Sequence, residues 1–170
     1  RALYNMEEHV CEDFYATPIG KANLLRKGKD ITIVAISFMV QESLAAAEIL
    51  AKEGVDAEVI DIRSLRPFDE KTILNSLEKT GRLLAVDVSW ELCGFSSEVA
   101  ALAAEKGYQF LKAPVRRMCL ADCPAPVSLP LETAFFPKPS NIVKTVLAML
   151  GKDNEGFDGV DKEDTFKGPY

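Results

Sequence analysis

The run from Ile31 to Asp69, ITIVAISFMVQESLAAAEILAKEGVDAEVIDIRSLRPFD, leaves few folds open. Ile31 to Ile36 is β-branched and almost continuously apolar, as expected of a central strand covered on both faces. From Val40 to Lys52 the apolar residues Leu44, Ala45, Ala47, Ile49, Leu50 and Ala51 recur at helical spacing, and Gly54 stands where a left-handed cap is wanted. Ala57 to Ile62 supplies a second strand. Strand, helix and strand in this order form one βαβ unit, which requires a parallel sheet.

The rest of the chain continues the alternation. Asp69 is placed to cap a helix over Glu70 to Thr80, with Ile73, Leu74 and Leu77 inward and Gly81 as the stop. Arg82 to Val88 reads as a third strand, and Gly94 to Lys106 as a helix capped by Ser96 or Ser97. Pro114 to Leu120 reads as a fourth strand. Pro124, Pro126, Pro130, Pro137 and Pro139 forbid a long helix or central strand between Ala121 and Pro139. A last helix runs from Ser140 to Leu150 and stops at Gly151. The fold class is α/β: a three-layer, mainly parallel twisted sheet with helices on both faces. Residues 1–30 read as a lead-in from an upstream domain, 31–150 as the α/β domain, and 151–170 as an acidic, loosely packed tail. A chain starting at Arg1 without an initiating Met suggests a fragment.

Composition removes several functional classes. The 170 residues carry 20 Lys plus Arg against 26 Asp plus Glu, and a net charge of −6 argues against nucleic acid as the main partner. Such a surface would suit a basic protein partner, but charge of this kind more often reflects solubility. No apolar run approaches the roughly 18 to 20 residues needed to span a membrane. Cys11, Cys93, Cys119 and Cys123 include no CxxC pair, so they read as reduced, partly buried thiols rather than a zinc or redox site. The acids after Gly151 do not meet the calcium-loop spacing from Asp153 or Asp158.

Catalytic groups are hard to find. The single histidine, His9, lies in the lead-in. G-x-S-x-G, G-x-x-x-x-G-K-[ST] and G-x-G-x-x-G are all missing, so hydrolase, phosphate-loop and dinucleotide readings lose their support. Candidate positions therefore come from topology, after the C-terminal ends of parallel strands: Ser37 to Met39, Arg63 to Asp69, Ser89 to Gly94 and Ala121 to Pro126. Arg66 beside Pro67 offers a guanidinium either for an internal salt bridge to Asp61 or Asp69 or for contact across an interface. Trp90 with Phe95 reads either as an anchor at a subunit contact or as core. Phe135 and Phe136 read as core.

The wording of the strand ends is that of a known family. Tyr15-Ala16-Thr17-Pro18-Ile19-Gly20-Lys21-Ala22, Glu58-Val59-Ile60-Asp61-Ile62-Arg63 and Leu65-Arg66-Pro67 with Asp69 occur in one order and spacing with three later motifs. These are Lys79-Thr80-Gly81-Arg82-Leu83-Leu84, Gly94-Phe95-Ser96-Ser97-Glu98-Val99 and Ala121-Asp122-Cys123-Pro124-Ala125-Pro126. Together, residues 4–150 resemble the C-terminal domain of the E1 β subunit of thiamine-diphosphate-dependent 2-oxo acid dehydrogenases. Transketolase and deoxyxylulose phosphate synthase share the fold and are the nearest alternatives; a free-standing α/β ligand-binding module is the other.

The resemblance implies an α2β2 E1 that decarboxylates a 2-oxo acid on thiamine diphosphate and passes the acyl group to a lipoyl arm of E2. It places the cofactor's pyrimidine in an upstream domain and its diphosphate with Mg2+ in the E1 α subunit, so no catalytic, cofactor or metal ligand is expected here. The implied partners are the E1 α subunit, a second β subunit and the E2 subunit-binding domain, with no nucleic acid and no membrane, in bacterial cytoplasm or the mitochondrial matrix. The implied interface residues are Arg66, Pro67, Trp90, Phe95, Asp122 and Pro124. Asp87-Val88-Ser89-Trp90 departs from the paired acids common in the family. The Gly94 to Glu98 wording leans toward branched-chain members and Trp90 toward pyruvate members, which leaves the substrate open.

Overall fold

The computed structural model describes residue 9 and residues 12–157. Cys11, Asp158 and most of the acidic tail therefore lie outside the described residues. Five strands form one sheet: β1 (Asn23–Arg26), β2 (Ile31–Ala35), β3 (Ala57–Asp61), β4 (Leu83–Trp90) and β5 (Arg116–Leu120), in spatial order β1-β3-β2-β4-β5. The β2–β3, β2–β4 and β4–β5 pairings are parallel. β1 lies antiparallel to β3 at one edge, a strand that the sequence does not announce. The helices are α1 (Met39–Lys52), α2 (Glu70–Thr80), α3 (Phe95–Lys106), α4 (Leu129–Phe135) and α5 (Pro139–Met149).

The layers follow from which side chains each helix buries. Ala46, Ala47 and Leu50 of α1 join Ile142, Val143, Val146 and Leu147 of α5 over one face of the sheet. Ile73 and Leu77 of α2 join Val99, Leu102 and Ala103 of α3 over the other. β2 is buried at all five positions, as its nearly continuous apolar run requires. Its one polar residue, Thr32, bonds the hydroxyls of Ser76 at 2.6 Å and Thr80 at 2.7 Å, which pins α2 to the central strand.

Asp69 caps α2 as expected, accepting from the Thr72 amide, and Gly81 closes the helix at φ +75°. The proline-rich stretch does contain a helix, the seven-residue α4, because Pro130 sits in its first turn, where no amide donor is lost to the ladder.

Glu58 is a buried carboxylate in β3. It accepts from the Gly28 amide at 3.1 Å and from Lys79 Nζ. Burial pushes the Glu58 carboxyl up, but hydrogen bonds from Lys79, Ser76 and the Gly28 amide outweigh it and hold the group below its ordinary 4.5. A depressed folded-state value means stability that is fully present above about pH 4.5 and is lost as pH falls through the folded value. Glu58→Gln is expected to cost about 1–3 kcal/mol near neutral pH and to flatten the loss of stability on acidification. Urea midpoints at about pH 7 and about pH 3.5 check this; equal acid losses in both proteins would remove the carboxylate's role.

Candidate functional site

Because β2, β3, β4 and β5 run parallel, the loops that leave their C-terminal ends share one edge of the sheet. The connection after β2 turns to the α1 face and that after β4 to the α3 face, so the point where the chain reverses its winding lies between these two strands. Phe38 and Val88 pack against the core there. Three non-glycine residues on this edge have left-handed backbones: Ser37 at φ +56°, Arg63 at φ +54° and Cys93 at φ +59°. Each costs on the order of 1–3 kcal/mol and persists only where its surroundings over-determine it.

The loop after β3 is tied down on its inner side. Asp69 accepts from the Ala22 amide at 3.1 Å and from Thr72 Oγ1 at 2.9 Å, and Ser64 Oγ donates to the Pro67 carbonyl at 2.9 Å. Arg63 Nη2 donates to the Lys21 carbonyl at 3.1 Å. Burial lifts the Asp61 carboxyl, although the Arg63 amide and guanidinium partly offset this. For Asp69, burial again raises the value but hydrogen bonds from Thr72 and the Ala22 amide prevail and lower it. Arg66 makes no salt bridge with Asp61 or Asp69, so the internal-pair reading is corrected: those carboxylates are already held by Arg63, Ala22 and Thr72. Arg66 and Pro67, joined by a cis peptide, are exposed.

Trp90 and Phe95 part company. Phe95 packs edge-on against Phe68, ring centres 5.1 Å apart at 81°, and joins the core under α2 and α3. Trp90 remains half-exposed at the tip of β4. Asp122 and Pro124 are exposed after β5, and Phe135 is buried against Phe136. Cys93 and Cys123 are exposed rather than partly buried. Burial pushes the half-buried Cys119 thiol up.

Neither Ser96 nor Ser97 caps α3 with its side chain. That role falls to Asp87, buried near the end of β4, whose carboxylate accepts from the Ser96 amide at 3.0 Å, the Ser89 amide at 3.1 Å and Ser89 Oγ at 2.5 Å. Arg117 of β5 closes the loop from the other side, donating to Glu91 Oε1 at 2.6 Å and Ser97 Oγ at 2.8 Å. An acid interrupting a buried apolar strand is itself a signal for such a role, since it needs donors nearby. The two anchored loops then hold large apolar side chains out to solvent: Leu65 at 52%, Trp90 at 51% and Leu92 at 80% exposed, with Val127 at 91% beyond β5.

Comparison with known proteins fixes the family. The sequence model of the transketolase C-terminal domain matches residues 20–142. The chain belongs to this family. As a transketolase C-terminal domain it is 43% identical over 152 residues to an acetoin:2,6-dichlorophenolindophenol oxidoreductase β subunit from Bacillus subtilis, covering 89% of this chain and 44% of that protein. It is 44% identical over 140 residues to the mitochondrial pyruvate dehydrogenase E1 β subunit of Dictyostelium discoideum, covering 82% and 39%. The chain thus spans less than half the length of these relatives. A solved split-gene transketolase, an inactive β4 tetramer, superposes with a TM-score of 0.70 at 28% identity, covering 85% of this chain and 46% of that one. The transketolase C-terminal fold expected from the strand-end motifs is therefore present, in an E1 β-like sequence.

Among the described residues, no group of three or more His, Cys, Asp or Glu side chains could hold a metal ion. Nor is any described helix long and apolar enough to cross a membrane.

Proposed function

We propose that this domain is the assembly module of an E1 β subunit of a 2-oxo acid dehydrogenase. The observation that carries the reading is the strand-end edge, where hydrogen-bonded loops present Leu65, Trp90, Leu92 and Val127 to solvent. Exposed apolar side chains of this size, on loops that also expose Arg66 and Asp122, suit a subunit contact. The identity to E1 β subunits supports the enzyme assignment, and the tetrameric state of the related split-gene transketolase supports assembly through copies of such a chain.

In the intact enzyme the partners are a second β subunit, an E1 α subunit and the subunit-binding domain of E2, the last drawn by the net negative charge of this chain. Thiamine diphosphate with Mg2+ supplies the decarboxylation of a 2-oxo acid and is held by an upstream pyrimidine-binding domain and the α subunit. The residues of this chain orient and join subunits; none is assigned a bond-making step. Pyruvate dehydrogenase and acetoin oxidoreductase relatives match with nearly equal identity, and acetoin is a hydroxyketone without a carboxyl group, so a 2-oxo acid is the proposed substrate and a hydroxyketone the alternative.

Sedimentation equilibrium on the full chain tests the contact. The chain is expected to dimerise, and Trp90→Ala to weaken the dimer by about 2 kcal/mol, roughly thirtyfold. A monomer at high concentration, or a Trp90→Ala dimer as tight as the parent, would overturn the placement.

A further inference from the structure

The last rung of the β1–β3 ladder pairs Asn23 with Asp61, and beyond it side chains join the two segments. Arg63 donates to the Lys21 carbonyl through Nε at 3.3 Å and Nη2 at 3.1 Å. The Ala22 amide donates to Asp69 Oδ2 at 3.1 Å. Gly20, at φ +77°, lies against the Pro67 ring, where a Cβ would come 2.8 Å from Pro67 Cγ. Residues 20–22 thus form a short strap that meets the loop after β3 at both ends, while Phe14 and Ile19 ahead of it stand out in solvent.

Arg63 is the joint between strap and loop. Its left-handed backbone, φ +54°, is unfavourable for a residue with a Cβ and persists only while its surroundings fix it. Asp61 Oδ1 accepts from its amide at 3.1 Å, and the strap accepts from its guanidinium, so these bonds offset the strain. Further on, Ser64 Oγ donates to the Pro67 carbonyl, which ties the loop's apex across its base. Leu65 and Arg66, exposed at that apex, therefore take their direction from the two ends of the loop. A strained residue held by one external tie has two arrangements open to it: the tied one, and a relaxed one outside the left-handed region.

We propose that the strap is a conformational control on this loop, with Arg63 as the positioning residue. Displacement of residues 20–22 removes the Lys21 acceptor, Arg63 relaxes, and Leu65 and Arg66 lose their fixed direction. The exposed stretch ahead of Gly20 is the handle, since movement there reaches the loop through residues 20–22. The effect on subunit contact rests on the assembly reading of the strand-end edge; the coupling of strap to loop does not.

The test perturbs each side of the joint and reads the other by hydrogen exchange on the full chain. Arg63→Ala removes the tie, and the Ala22 amide, whose acceptor is Asp69 rather than Arg63, should exchange about tenfold faster. Gly20→Val forces the strap off Pro67, and the Arg63 and Ser64 amides should accelerate by about as much. Arg63→Lys keeps a donor for the Lys21 carbonyl and should accelerate Ala22 by only about threefold. The Arg63→Ala, Gly20→Val double variant should go little beyond either single one, because both break the same contact. Amides in the middle of α5 should stay protected throughout. Dimerisation should weaken about fivefold in each single variant. Ala22 and Ser64 amides as slow as in the parent, or equal acceleration in α5, would overturn the inference. Faster amides with an unchanged dimer constant would overturn the strap's control of the contact. A parent that is monomeric at high concentration would overturn the assembly reading instead, and the Ala22 and Ser64 amides alone would then decide whether the strap holds the loop.

Discussion

Gly28→Ala is expected to destabilise the domain by about 3 kcal/mol or more, a large part of the stability of a domain this size. Gly28 sits on the approach to β2, pressed against the start of β3. A Cβ there would overlap the Ala57 carbonyl carbon and the Glu58 amide nitrogen, and would lie 2.6 Å from the Asp56 carbonyl oxygen. All three are backbone atoms, so no side chain can swing aside. The same movement would break the Gly28 amide bond to Glu58 and disturb Lys29 and Asp30, whose amides both donate to the Asp56 carbonyl at 3.0 Å. Gly54→Ala is the control: at φ +70° but with nothing within 4 Å, it should cost only about 1 kcal/mol. Urea unfolding of both variants checks the contrast. A Gly28→Ala midpoint no lower than that of Gly54→Ala would show that the β2–β3 approach can open.

That junction also shows what a sequence can and cannot reveal about such a domain. The α2 helix was legible to its last residue because its signals are local: Asp69 at one end, Gly81 at the other and an apolar stripe between them. β1 was not, because Asn23–Arg26 gains its strand character only by pairing with β3 more than thirty residues later, through a shifted register. β4 runs two residues past the expected Val88 because Trp90 pairs with Leu120 beyond an irregularity in the β4–β5 ladder.

The edge that carries the candidate site follows from the parallel order alone, yet the duties of its residues do not. Arg66 could be placed on a loop from its neighbours, but its lack of an internal partner depends on Arg63, Ala22 and Thr72 having already engaged Asp61 and Asp69. Phe95 and Trp90 look alike in the sequence as aromatic strand-end residues. Only the arrival of Phe68 beside α3 decides that one is covered and the other left outside.

Asp87→Ala should have the other large effect, and it joins folding to assembly. Truncation removes the acceptor for three donors at once and leaves the Ser96 amide buried without a partner, at an expected cost of about 2–4 kcal/mol. Asp87→Asn keeps one carbonyl oxygen and should lose about half as much. Gly94 sharpens the dependence: a Cβ at this position would overlap the Trp90 carbonyl oxygen and Ser89 Oγ, so the turn has little room to find another cap. With the cap gone, the start of α3 frays, and the segment bearing Trp90 and Leu92 loses its fixed direction. Hydrogen exchange at the Ser96 amide should accelerate in Asp87→Ala while amides in the middle of α2 remain protected under conditions where the protein stays folded. Dimerisation should weaken in the same sample, because a mobile Trp90 must be ordered before it can bind. If the Ser96 amide exchanges as slowly as in the parent, Asp87 is not the cap. If it exchanges faster while the dimer constant stays the same, the contact surface lies away from the β4 loop, and the assembly role of Trp90 fails with it.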